Sequence, residues 1–565
     1  MSLALTGNWQ LRTSPTALQL MRWGRRLAQG PLFRWRFSRF RPHELIAEPV
    51  DLHLSDPNLA HEFYYGRFAL GGRVVQTGSI SPFVVEPPTP QWEEALQNFS
   101  WLRHLDAAQT NLAAAQARSL LSDWINNTNR PMKGIAWRGD IVAQRIIAWL
   151  SHSRMLLDGA PRGFTKKFLK SLSFQTRYLR TVIHIMDDNQ YRLQAHIALA
   201  FAAVCQTLPE KLKAKAIQQL EECLERQILP DGGHISRNPA ILIDVLADLI
   251  SLRHVFIHQG HTPPRGVMDA VERSFPSLRF FIHRDGSLAR FNGVGPLLTE
   301  RLAAILALDE TAGHPFSHAP HSGYQRIASG KTIIIADTGY APPPTAAHHA
   351  HAGCLSFEMS SGQHCFIINT GIDPYGADDL AFLGRTTAAH STATINDTSS
   401  GRFLKQPFSN LVPLARSAHN VRVSQIEGNE RNGFIASHDG YQKAFNLVHE
   451  RGLVLNTNGK IIDGFDRFFS PGKEMPKTNG RDQIAIRFHL HPDIEVSFDS
   501  SGGLRLEALG GDVWSFTSPD VDIQLEDSIY FADISGPRKT RQIVLAVRPC
   551  LLQKIRWRFV QIVEA

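Results

Sequence analysis

The hydrophobic period of this 565-residue chain changes once, near residue 320. Upstream, from about residue 90 to 310, stretches such as WEEALQNFSWLRHL, DIVAQRIIAWLSHSRMLL, YRLQAHIALAFAAVC and PAILIDVLADLISLRHVFI space apolar residues three and four apart. That spacing predicts a series of amphipathic helices. Downstream, KTIIIADTG, HCFIIN, IAIRFHLHP and RQIVLAVRP are short, β-branched and alternating, and turns such as Ser500–Gly503 and Gly510–Gly511 separate some of the strands. Many successive antiparallel helices imply an α/α solenoid or toroid, and periodicity alone does not choose between that and an irregular bundle. The alternating part implies a large antiparallel β-sandwich. The expected fold is therefore multidomain, an N-terminal (α/α) toroid followed by a C-terminal antiparallel β-sandwich. The expected boundaries are a basic arm over 1–50, the toroid over 51–315 and the sandwich over 316–565.

Length agrees with more than one domain. A composition of 43% hydrophobic and 20% charged residues is that of a soluble globular protein, and no run of about 18 apolar residues predicts a transmembrane helix. The formal charge of +8 favours an acidic partner, such as an anionic polysaccharide, nucleic acid or a membrane surface; the plainer reading is a mildly basic enzyme. No nucleic-acid-binding module is recognisable, so a specific nucleic-acid role ranks last. Five cysteines without a C-x-x-C pair exclude a disulfide scaffold, and Cys354 and Cys365 read as buried thiols. Between residues 22 and 41, Arg22, Arg25, Arg26, Arg34, Arg36, Arg39 and Arg41 alternate with Trp23, Phe33, Trp35, Phe37 and Phe40. Gly30 and Pro31 break any long helix there. We expect this arm to pack its aromatics on the main body, and peripheral contact with an anionic membrane is the alternative. The start MSLALTGNWQLRT lacks a clear secretory signal, which argues for the cytoplasm or for an incomplete N-terminus.

Three segments carry chemistry. HAHAGCLSFEMSSGQHCFIINTG (His349–Gly371) reads as a β-hairpin opened by a His-x-His pair, and RTTAAHSTATIND (Arg385–Asp397) places His390 before another alternating run. Histidines at strand ends can converge on a metal or an anionic substrate. In LPDGGHISRNPAILIDVLADL (Leu229–Leu249), a turn at Asp231–Gly233 joins two helices. His234, Ser236, Arg237 and Asn238 on that loop either face an extended anionic chain or cap the next helix, and Asn238 before Pro239 fits a cap.

Taken in order, the helical run, the GGH loop, the HAHAG hairpin and the AAH strand resemble the heparinase II/III family of polysaccharide lyases, over nearly the whole chain beyond the arm. The resemblance implies β-elimination on an acidic, uronate-bearing polysaccharide. An alternative is an acidic-glycan-binding protein that keeps the fold without that cleavage. It implies a cell-envelope location. By resemblance, Asn189 contacts the substrate carboxylate and His349 is the active-site histidine, while His351, Asn369 and His390 hold a structural zinc. Two positions depart from the family. Asn369 stands where a carboxylate ligand is usual, and Ile241 stands where the GGH loop usually carries the catalytic tyrosine two residues after proline. Tyr191, Tyr340 and Tyr375 are the available replacements. Tyr375, in GIDPYG just after the hairpin, is the first choice for catalysis, with His234 and Arg237 for substrate binding.

Overall fold

The computed structural model describes residues 43–562 apart from 128–131, 311–312, 377, 405–413, 417, 419, 429, 473–480 and 550–553. The Arg-rich segment 22–41 and Cys550 lie outside the described residues. From Asn58 to Leu306 the regular elements of the described chain are helices, except for one small hairpin, Arg67–Leu70 with Arg73–Gln76. The helix Gln190–Cys205 is central. It packs against Gly139–Ser151, Glu210–Gln227 and Ile241–His258. Its sequence is apolar on every side, as a helix surrounded by others must be.

The helical part holds a tryptophan-rich core. Trp124, Trp149 and Phe99 pack edge-on around one another, and Trp137 packs tilted against Trp124. Arg145 is fully buried among them, with no carboxylate partner among the described residues. It donates to Gln175 Oε1, Gln97 O and Ala136 O, at 2.6, 2.7 and 2.8 Å, and its guanidinium lies 4.3 Å from the Trp124 ring centre. Three neutral acceptors and a ring face thus solvate a buried cation, and burial lowers its pKa to about 9.

From His318 onward the described chain is mostly strand, in two large antiparallel sheets, one of eight strands and one of nine. Phe357, Met359 and Phe488 of the nine-stranded sheet meet Trp514, Trp557 and Phe559 of the other, and Phe357 stacks on Trp557 at 5.8 Å. The predicted hairpin forms from Phe357–Ser361 and His364–Ile368, turning at Gly362. The strand Phe357–Ser361 is buried on both faces, because the helical part covers the face opposite the sandwich core. There His283 lies 3.0 Å from both Glu358 Oε2 and Ser360 Oγ. Cys205, Cys223, Cys354 and Cys365 are free and buried. No helix among the described residues is long and apolar enough to cross a membrane.

Candidate active site at the joint of helices and sandwich

The loop that leads into the hairpin brings His349 against the start of the central helix. Asn189 caps that helix, its Oδ1 accepting the Tyr191 N–H at 3.1 Å. Its Nδ2 donates to Thr345 O at 3.2 Å, in the loop that carries His349. This tie sets the Tyr191 hydroxyl 3.1 Å from His349 Nε2. Both side chains are partly exposed. Behind them, Arg138 Nε donates to Asp140 Oδ1 at 3.0 Å, and Arg138 also pairs with Glu94.

Their protonation states follow from the surroundings. Burial, with a smaller contribution from Asp140, lifts the Tyr191 phenol to about 12. Burial, helped by Arg385 and His348, lowers His349 to about 4. At neutral pH the phenol therefore keeps its proton and the imidazole is neutral, so the hydroxyl donates to Nε2 in the tautomer that leaves this nitrogen bare.

The segment RFNGVGP forms the shelf beneath. Asn292 sits at φ +50° and Gly293 at φ +104°. Asn292 Oδ1 accepts the His351 N–H at 3.0 Å, and its Nδ2 donates to Tyr324 Oη at 2.7 Å. A Cβ on Gly293 would come within 3.1 Å of His349 Cβ, so glycine is what lets the histidine loop approach. The Asn-Gly pair was a readable turn signal in the sequence, but its partner in space was not.

His351 and His390 meet. His351 Nδ1 lies 2.9 Å from His390 Nε2, and His390 Nδ1 lies 2.7 Å from Thr386 O. A carbonyl only accepts, so His390 Nδ1 carries a hydrogen and His390 Nε2 is the acceptor for His351 Nδ1–H. Asn369 joins through Ser391, whose N–H donates to Asn369 Oδ1 at 3.1 Å. His351 Nε2 and Asn369 Nδ2 are buried without a partner. Two nitrogens on a tetrahedral zinc with bonds of about 2.0–2.1 Å stand roughly 3.3 Å apart; here they are hydrogen-bonded to each other. The third residue is a neutral amide whose oxygen already accepts a hydrogen bond, and among the described residues no group of three or more His, Cys, Asp or Glu could hold a metal. This donor set does not fit a closed structural zinc site.

The remaining sequence-predicted residues lie elsewhere or face inward. His234 is buried, with Ser236 Oγ at 2.7 Å and Gln227 Oε1 at 3.0 Å. Arg237 is buried, and its Nη2 donates to Asp337 Oδ1 at 2.5 Å. It also donates to the carbonyls of Ser322, Tyr340 and Gly323. The expected pair of glycan contacts on the GGH loop is thus corrected: His234 is held within the loop by Ser236 and Gln227, and Arg237 joins the loop to the sandwich, because a buried guanidinium takes the acceptors that surround it. Asn238 Oδ1 accepts the Ala240 N–H in a turn just ahead of the helix Ile241–His258; Ala240, not Asn238, is the residue at the cap position, so the expected Asn238 cap is displaced by two residues. Tyr375 is half exposed, with its ring against Gly72; the tyrosine paired with His349 is Tyr191 instead.

A helical domain docked on a two-sheet antiparallel sandwich is the fold of the heparinase III structures. The crystal structure of heparinase III superposes with a TM-score of 0.66 at 15% identity, covering 86% of this chain and 80% of that one. The heparan sulfate lyase HepC of Pedobacter heparinus gives 0.59 at 18% identity, covering 96% and 88%. Residues 311–558 match the family model described as heparinase II/III-like, C-terminal. The chain is also 28% identical over 527 residues to FtsZ-localized protein C of Caulobacter vibrioides, covering 92% of this chain and 90% of that protein.

Proposed function

We propose that the protein cleaves an acidic, uronate-bearing polysaccharide by β-elimination, with Tyr191 and His349 as the proton-transfer pair. The observation that carries this reading is the 3.1 Å contact between the Tyr191 hydroxyl and His349 Nε2 at a partly open joint. In the reaction, a base removes the proton on the carbon beside the uronate carboxylate. The C–H electron pair becomes a C=C bond, the C–O bond to the leaving sugar breaks, and the leaving oxygen takes a proton. A neutral imidazole suits the first role and a protonated phenol suits the second. Tyr191 would thereby stand in for the tyrosine that Ile241 replaces. The test is ultraviolet absorbance of an unsaturated uronate product from heparan sulfate, alginate and related polymers. Tyr191→Phe should lower its rate by about 10²–10⁴-fold, and a wild-type rate in that variant would remove the tyrosine from the mechanism.

A second reading, an acidic-glycan-binding protein without cleavage, is favoured by Asn189. The family resemblance offers it for the substrate carboxylate, yet its amide is engaged on both sides, by Tyr191 and by Thr345. The relationship to an FtsZ-localized protein makes a place near FtsZ a proposal for this chain also. Glycan binding without any unsaturated product would select this reading.

A further inference from the structure

The eight-stranded sheet turns one face away from the other sheet, and that face carries an ordered set of cations. On the strand Lys554–Ile562, Ile555, Trp557 and Phe559 point into the core, while Lys554, Arg556 and Arg558 point out. Their cross-strand neighbours on Ile461–Phe469 are Arg467, Phe465 and Asp463. Phe465 in turn faces Gly452. The absent side chain at Gly452 leaves room for the Phe465 ring, since a Cβ there would lie 2.2 Å from a ring carbon. The result is a groove of about 470 Å³ whose lining includes Gly452, Phe465, Lys554, Arg556 and Arg558.

The charges in this groove are held in place but are incompletely neutralised. Lys554 Nζ sits 3.9 Å from the Phe465 ring centre, and no described carboxylate lies within ion-pair distance of it. The ring thus fixes an otherwise mobile ammonium without cancelling its charge. Arg558 Nε meets Asp463 at 2.5 Å, but both side chains are more than half exposed. Such a surface pair is weak and can be exchanged for a ligand anion. Arg556 is held by both oxygens of Asp520. Cations at every second residue of a strand repeat at roughly 6.6 Å, a spacing that suits a polymer with regularly placed charges better than a single small anion.

We propose that this groove is a second binding site, remote from His349, for a chain of acidic sugars. The choice of sugar polymer over other polyanions rests on the proposed function. The test compares wild type, Lys554→Ala/Arg558→Ala, and a charge-matched control, Lys539→Ala/Arg541→Ala, on the other sheet. Each is titrated at low salt with long-chain alginate, long-chain heparan sulfate and single-stranded DNA, and assayed for turnover of tetrasaccharides. With an unchanged melting curve, the groove variant should bind long glycans at least about tenfold more weakly than wild type, while the control binds normally and tetrasaccharide turnover is kept. Equal glycan binding by the groove variant and the control would overturn the proposal. So would groove-dependent binding that prefers DNA to glycan. Groove-dependent glycan binding with no cleavage by any form would retain this site and sink the lyase reading; cleavage with no effect of the groove variant on binding would do the reverse.

Discussion

Arg237 and Asp337 meet at 2.5 Å across the joint between the helical part and the nine-stranded sheet, both almost fully buried. Asp337 Oδ1 also accepts the Gly339 N–H, and the Arg237 guanidinium lies 4.6 Å from the Tyr324 ring centre. The pair therefore fastens the loop after Gln227 to the strands that lead toward His349.

Removing one member of such a pair strands the other charge. Arg237→Met should destabilise the protein by about 3–5 kcal/mol, read as a shift of the urea midpoint. The loss should be the same with and without glycan. A variant of native stability that instead binds glycan more weakly in a salt-dependent way would return Arg237 to the substrate.

His53 supplies a pH signature. Its Nδ1 lies 2.8 Å from Asp51, and its Nε2 lies 3.4 Å from Asp244. Burial opposes its charge, but hydrogen bonds to Asp244 and Asp51 outweigh burial and raise its pKa to about 9. The folded pKa lies above the unfolded value of about 6.5. The stabilisation is thus fully present below pH 6.5 and is lost as pH rises through about 9. His53→Gln should cost most stability near pH 6 and converge with wild type at alkaline pH. A difference that grows with pH would contradict this assignment.

The His349 imidazole should stay neutral far into the acid range. Its nuclear magnetic resonance titration should show a midpoint near 4, where burial places it, and not near the free value of about 6.5. Because the unfolded chain takes up that proton first, His349 weakens the fold as pH falls from about 6.5 toward 4.

Asn369→Asp tests the histidine pair. As purified, the wild-type protein should hold no stoichiometric zinc, and chelator should leave its melting temperature unchanged. The carboxylate variant should be less stable without metal, because it buries a charge. It should regain stability as zinc is added, as expected for a site with two imidazoles and a carboxylate. Stoichiometric zinc in the wild type would overturn the hydrogen-bonded reading.

How much of this could be read beforehand depended on range. The helices and strands were legible because their periods are local, and the Phe357–Ile368 hairpin because its turn is adjacent in sequence. The meeting of His351 with His390 was suggested by resemblance. Tyr191 was visible only as one of three tyrosines, since its partner lies 158 residues away and no local pattern reports such a distance. Arg237 misled for a related reason. A guanidinium suits a glycan sulfate or a buried aspartate equally well, and Asp337, 100 residues on, decides which it meets.

The bond from Asn189 to Thr345 has a consequence for how this chain matures. Tyr191 is synthesised well before His349, and neither belongs to an element that could gather the other by itself. On the proposed mechanism, the Tyr191–His349 pair exists only once the sandwich has formed and seated its entry loop on the finished helices, so a nascent or truncated chain should be chemically silent. The proposed turnover would then report completed assembly, and fragments supplied as separate polypeptides should gain it only on reassociating.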